Sequence, residues 1–237
     1  MNLFNFKITL MFHKIVDNPN SKYDVSWRKF KFILLFYNIF FNILFHQKIS
    51  HKILFTFDDG YISQLAAARY LARYYKVFSI IFITTDLIDC EGYINKKQIK
   101  QNISKYIKFG SHGKTHKSLD KSMLINELFY ELKSSKKYLE DLTGQVLFFL
   151  SFPNGLFNKN SLKAAYDLGY KYIFTSKRSS NRRREKNSTF NRFVILKDTP
   201  FILVFLAYTG ILDFSQNFKK QIRNFKFKNL LIKKHNS

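Results

Sequence analysis

Short apolar runs of strand character recur along this chain, at Ile8 to Phe12, Ile53 to Phe57, Val77 to Thr84, Val146 to Phe152, Tyr172 to Thr175 and Phe193 to Leu196. Helical patterns lie between several of them. Leu124, Leu128, Leu132, Leu139 and Leu142 recur at three-, four- and seven-residue spacings, which gives one apolar helix face, and Gly144 supplies a stop. Ser63 to Tyr75 and Asn160 to Gly169 read as shorter helices. Strands alternating with helices imply βαβ units and a mostly parallel sheet, open or closed into a barrel. In either form a site is expected at the carboxyl ends of the strands.

The chain has 237 residues, 24% charged and 46% hydrophobic, the balance of a chain that buries a core. One domain spanning 1–237, with a basic tail from about residue 215, is the expectation for this length. Cys90 is the single cysteine; an intramolecular disulfide and a cysteine-rich zinc site are excluded, and His, Asp and Glu remain as strong metal ligands. The net charge of +24 favours anionic partners, although lysines spread among Asn, Ile and Phe also fit a bias of composition. The tightest basic cluster, Lys177 to Lys186, reads as a solvated loop. No helix-turn-helix, aromatic RNA-binding motif or zinc finger accompanies it, so nucleic acid is not the expected partner.

Phe32 to Phe45 and Pro200 to Leu212 are apolar but shorter than the ~20 residues a helix needs to span a bilayer. The first reads as a buried or surface-lying helix. The N-terminus lacks a basic stretch ahead of an uninterrupted apolar one, so no signal peptide is expected. These features point to a cytoplasmic or membrane-peripheral location, with peripheral membrane contact.

In "HKILFTFDDGYIS", His51 to Ser63, the adjacent carboxylates Asp58 and Asp59 follow an apolar strand and precede Gly60. Two like charges at a strand end repel unless a cation or a proton sits between them. A metal would serve; so would a helix cap on one aspartate with the other solvated. In "KFGSHGKTHKSL", His112 and His116 are four residues apart after another short apolar stretch. On a helical turn that spacing puts both imidazoles on one face. Joined to a strand-end carboxylate, they make one Asp and two His ligands with positions open for water and substrate.

These segments resemble the polysaccharide deacetylase family, the NodB-homology carbohydrate esterases, which carry a T-F-D-D-G motif and then an H-[ST]-x-x-H motif. The first stands here unaltered as Thr56-Phe57-Asp58-Asp59-Gly60; the second is His112-Gly113-Lys114-Thr115-His116, with glycine where the family usually has Ser or Thr. "ITLMFHKI" is similar to the "LMYHRV" opening of one subgroup, "SFPNG" to its "YPYG" or "YPNG" segment, and "AYDLGYKYIFTS" to the strand that follows. The resemblance covers most of the chain. It implies a distorted, incomplete (β/α) barrel of the α/β class and a metal-dependent hydrolase that removes acetyl groups from an N-acetylated sugar of a polysaccharide, oligosaccharide or glycolipid. By family pattern Asp59, His112 and His116 hold a divalent metal ion, commonly zinc, and Asp58 is the general base. Such an ion polarises the acetyl carbonyl and acidifies a water, a carboxylate takes the proton, and a backbone donor helps hold the oxyanion. Matched to the third motif, that donor is the N–H of Asn154, since Pro153 has none.

Two departures stand out. The family often has an arginine shortly before the third-motif proline that orients the base, and here Leu150, Ser151 and Phe152 occupy those places. That support is missing or comes from elsewhere. The late L-x-H motif, whose histidine protonates the leaving amine, is absent from "RFVILKD". His13, at the end of the first strand, is the candidate acid in its place; a core or capping histidine is the other reading. His46, His51 and His235 read as structural or solvated, and Asp86, Asp89, Asp167 and Asp198 as loop or helix-surface charges. Two alternatives accompany the enzyme: a catalytically degenerate glycan-binding member, and a basic nucleic-acid or acidic-lipid binding protein using Arg182 to Arg184.

Overall fold

The computed structural model describes residues 6, 8–45, 53–120, 122–176 and 189–209. The basic cluster Lys177 to Lys186, with Arg182 to Arg184, lies outside the described residues, as do His46, His51, His235 and the tail from 215.

The strands are β1 (Ile8–Phe12), β2 (Lys14–Val16), β3 (Asp24–Ser26), β4 (Ile53–Phe57), β5 (Ser79–Ile83), β6 (Ile107–Ser111), β7 (Phe149–Ser151), β8 (Tyr172–Phe174) and β9 (Phe193–Val194). The helices are α1 (Trp27–Phe45), α2 (Ile62–Tyr70), α3 (Lys96–Asn102), α4 (Ile125–Thr143), α5 (Lys159–Asp167) and α6 (Phe201–Thr209). Among the described residues seven strands form one sheet in the order β8-β7-β6-β5-β4-β1-β9, and every pairing in it is parallel. This curled, unclosed sheet with its crossover helices is an incomplete (β/α) barrel. The small β2–β3 pair stands apart from it.

The central strands β4 and β5 divide their side chains between two apolar clusters, as the period of two requires. From β4, Ile53, Phe55 and Phe57 join the large cluster that packs beneath the helices, while Leu54 joins a smaller one. From β5, Ile81 and Ile83 go to the first and Ile80 and Phe82 to the second. Both faces of these strands are therefore buried, which is why they read as continuous apolar runs instead of alternating ones. On the helix side, Phe12, Phe30, Phe55 and Phe57 form an aromatic knot with ring centroids 5.3–6.4 Å apart. Such pairs add to the area they bury.

The strand expectations are met with trimmed ends; β6 is the least apolar of the long strands. The leucine face of α4 is buried at Leu128, Leu132 and Leu139. Leu124 is not, because it is the residue before the first helical turn and stands 71% exposed. The segment from Phe32 is the body of α1, whose Phe30, Ile33, Leu34 and Tyr37 enter the core while Phe32, Leu35 and Ile39 face outward. No helix among the described residues is long and apolar enough to cross a membrane.

Candidate active site

β4 and β6 lie one strand apart in the sheet and end on the same side of it. Parallel pairing thus delivers Asp58 and Asp59, just past β4, and His112, just past β6, to one rim. Asp59 and Gly60 both have positive φ, 82° and 85°, so the chain turns sharply there. A Cβ on residue 60 would also come 3.0 Å from Ile83 Cδ1. Asp59 projects to the rim, and Asp58 points inward, 2% exposed. Neither caps α2, whose first turn has no side-chain cap.

The His112–His116 segment is a loop rather than the helical turn its spacing fitted. Gly113 (φ 79°) and His116 (φ 66°) reverse the chain and bring the two rings to 5.0 Å between centroids. His116 Nε2 is 3.1 Å and His112 Nε2 3.5 Å from Asp59 Oδ1. Ligand atoms of these three residues all lie within 4.8 Å of one another. A tetrahedral ion with bonds of about 2.0–2.1 Å has ligand-to-ligand edges of about 3.3 Å, and the two measured separations bracket that value. His112 Nδ1 is 2.8 Å from the Ser151 carbonyl. Donation of the Nδ1 proton to that oxygen leaves the Nε2 lone pair facing Asp59, as a metal-binding imidazole needs. The donor set fits a divalent ion.

Beneath it is a residue that the sequence reading missed. Arg192, immediately before β9, is fully buried. Its guanidinium donates to Asp58 Oδ1 at 2.6 Å and Oδ2 at 2.7 Å, to Ser151 Oγ at 2.8 Å and to the Thr175 carbonyl at 3.0 Å. Ser151 in turn donates to Asp58 Oδ2 at 3.1 Å. The arginine absent before Pro153 is thus supplied from the opposite edge of the sheet. Its guanidinium carbon rests 5.5 Å from the centre of the Phe82 ring and 6.0 Å from that of Phe174. The smaller apolar cluster is the floor of the site and Arg192 its polar lid. An arginine directly before a two-residue strand pairs with a carboxylate 134 positions away; no local pattern signals that.

The electrostatics follow from this burial. Desolvation pushes the Asp58 carboxyl up, but the charge and hydrogen bonds of Arg192, helped by His112, outweigh it and hold Asp58 below the usual carboxylate range. Asp59 is likewise depressed: burial opposes ionisation, and hydrogen bonds from His112 and His116 overcome it. For His112 burial favours the neutral ring, yet Asp58 and Asp59 raise it above its ordinary value.

His13, just past β1, joins the same rim. Its carbonyl accepts from Gln64 Nε2 at 3.0 Å, and the same amide donates to the Asp58 carbonyl. Gln64 thereby ties the ends of β1 and β4 to α2. The His13 ring lies 4.8 Å from that of Tyr23 at a tilt of 51°, and its Nδ1 is buried without a hydrogen-bond partner among the described residues. Burial lowers its pKa, against the pull of Asp58 and Asp59. Asn154 sits in the tight turn Pro153–Gly155 with φ 57°, and its side-chain amide donates to Ser118 Oγ at 3.0 Å. That contact sets it beside the histidine loop. Asp86 and Asp89 pair with Lys114 and Lys96, Asp167 with Lys163, and Asp198 stays exposed; none joins the site.

Known proteins agree with this architecture. Residues 46–173 match the sequence profile of the polysaccharide deacetylase family. YxkH of Bacillus subtilis (strain 168), provisionally named a polysaccharide deacetylase, is 29% identical over 131 residues, 55% of this chain. The match spans 47% of that relative's length, about half of it. The deacetylase PplD of Streptococcus pyogenes, solved in complex with acetate, superposes with a TM-score of 0.71 at 22% identity, over 86% of this chain and 99% of that one. BC0361, a polysaccharide deacetylase from Bacillus cereus, gives a TM-score of 0.69 at 23% identity over 85% of this chain and 68% of that one. With the profile covering more than half its length, this chain belongs to the polysaccharide deacetylase family.

Proposed function

We propose that the protein is a metal-dependent deacetylase acting on an N-acetylated sugar of a polysaccharide, oligosaccharide or glycolipid. The observation that carries this reading is the convergence of Asp59, His112 and His116 directly above a buried carboxylate, Asp58, gripped by Arg192. Asp59, His112 and His116 would hold a divalent ion, of which zinc suits the nitrogen-rich set and near-tetrahedral spacing. Once bound, the ion would polarise an acetyl carbonyl and acidify water.

The remaining roles fall to the chain's own groups. Asp58, ionised and fixed by Arg192 and Ser151, is the base that takes the proton from the attacking water. The backbone N–H of Asn154 is the donor for the developing oxyanion. His13, on the same rim just past β1, is the acid for the departing amine. The Arg192 grip on Asp58 favours an enzyme over a degenerate binding member, because a retained, oriented base serves turnover and not mere glycan binding. Membrane-peripheral contact is supported by the outward stripe of α1: Arg28 and Lys31 lead into Phe32, Leu35 and Ile39, the last three about half exposed.

Acetate release from N-acetylated oligosaccharides, before and after chelation and after zinc is restored, tests the function. Chelator-sensitive release that returns with zinc and is absent from His116→Ala is expected; full activity in His116→Ala would refute it. For the membrane contact, serine at Phe32, Leu35 and Ile39 should abolish sedimentation with anionic vesicles, and unchanged sedimentation would refute it.

A further inference from the structure

The histidine loop is not held by its own residues. Glu131, in the middle of α4 and 4% exposed, reaches up beneath it. Its Oε2 accepts from the backbone N–H of Lys114 and of Thr115, both at 2.9 Å, and its Oε1 accepts from Thr115 Oγ1 at 2.7 Å. Among the described residues, the hydrogen bonds of its carboxylate all go to the two residues that precede His116. Those residues carry the reversal that ends in a left-handed histidine, φ 66°. A non-glycine residue there costs roughly 1–3 kcal/mol and persists only where its surroundings over-determine it.

Gly113 completes the arrangement. With φ 79°, it disfavours any side chain, and a Cβ at that position would lie 3.4 Å from Glu131 Oε2 and 3.4 Å from Pro153 Cγ. Its own N–H donates to Ser111 Oγ at 3.1 Å. The glycine that departs from the family pattern therefore supplies the left-handed turn that starts the loop beside this carboxylate, and a Cβ there would meet Glu131 and Pro153 only at ordinary contact distance.

We infer that Glu131 is a positioning residue: it fixes the backbone of Lys114 and Thr115 so that His116 is preset as a ligand, and in this chain it sets metal affinity together with Gly113. The inference rests on the reading of Asp59, His112 and His116 as metal ligands. Supporting groups of this kind typically change affinity or activity by about 10–100-fold when removed. A glutamine at 131 can keep its oxygen on the backbone pair and donate its amide N–H to Thr115 Oγ1, so what it removes is the negative charge that strengthens the two backbone hydrogen bonds.

The test is zinc affinity of the full chain, by competition with a chromophoric chelator, for wild type, Glu131→Gln and Thr115→Val. Amide exchange of the metal-free proteins and kcat and KM at saturating zinc accompany it. Glu131→Gln should bind zinc about tenfold or more weakly, exchange faster at Lys114 and Thr115 while α4 stays protected, and recover most of kcat when zinc saturates. Affinity within twofold of wild type would overturn the inference. Were α4 to lose protection in Glu131→Gln, Thr115→Val decides: about fivefold weaker zinc binding supports the role, and unchanged affinity overturns it. A wild type that takes up no zinc refutes the ligand reading itself, and this inference with it.

Discussion

Removing the Arg192 guanidinium should damage the protein in a pH-dependent way. In Arg192→Met the apolar floor of Phe82 and Phe174 is kept filled, while Asp58, 2% exposed, loses both of its Arg192 hydrogen bonds. Breaking one side of a buried ion pair costs roughly 3–5 kcal/mol, because the partner charge stays buried without compensation. At roughly 2–4 °C per kcal/mol for a domain of this size, Tm should fall by about 6–20 °C. In the wild type Asp58 lies below the ordinary value of 3.8, so its stabilisation is complete above that value and is lost as pH falls through its native pKa. In the variant burial acts unopposed by Arg192 and lifts the carboxyl above the ordinary range. The deficit in Tm should therefore be largest at neutral pH and shrink toward acid, where the carboxyl is protonated. The acid limb of kcat/KM should move to higher pH for the same reason. Asp58→Asn placed in the Arg192→Met background should recover much of the lost Tm, since no charge is then stranded. Calorimetric melts from about pH 4 to about pH 8 with matched acetate-release profiles provide the assay. A variant that melts with wild type at every pH, or keeps its acid limb, would refute the reasoning.

Three further outcomes follow from the same geometry. His13→Gln should leave metal content intact, reduce kcat by about 10²–10⁴-fold and remove the alkaline limb of the pH profile; an unchanged kcat would strike His13 from the mechanism. Because Asp58 and Asp59 raise His112, protons should compete with zinc from a higher pH than for an ordinary imidazole. Zinc affinity titrated against pH should fall on acidification, and a pH-independent affinity would contradict this. Tyr37→Phe removes the hydroxyl that donates to the Val204 carbonyl and links α1 to α6; a loss of about 1 kcal/mol in denaturant unfolding is expected, with kcat unaltered.

The parts of this molecule legible in the sequence are those encoded locally. Apolar runs buried on both faces announced β1, β4 and β5, and leucine spacing announced α4, because period and burial leave their mark within a few residues. Asp59, His112 and His116 were legible through the T-F-D-D-G and H-x-x-x-H spacings, although the backbone that joins the histidines is a glycine-reversed loop and not a helical turn. What escaped was encoded non-locally. Arg192 reads as one more basic residue in a chain with 40 of them, and only the curl of the sheet sets it under Asp58. Glu131 carries no local mark in the sequence, yet it is buried in α4 with Leu128 and Leu132. Its purpose is set by a loop 16 residues upstream.

The most direct measurement is the metal content of purified wild type beside Asp59→Ala and His116→Ala, with X-ray absorption on the loaded wild type to count imidazole nitrogens. The account requires near-stoichiometric metal in the wild type, two histidine ligands in its spectrum, and loss of metal from both variants. Wild type that stays metal-free after reconstitution, or variants that retain the ion, would contradict it.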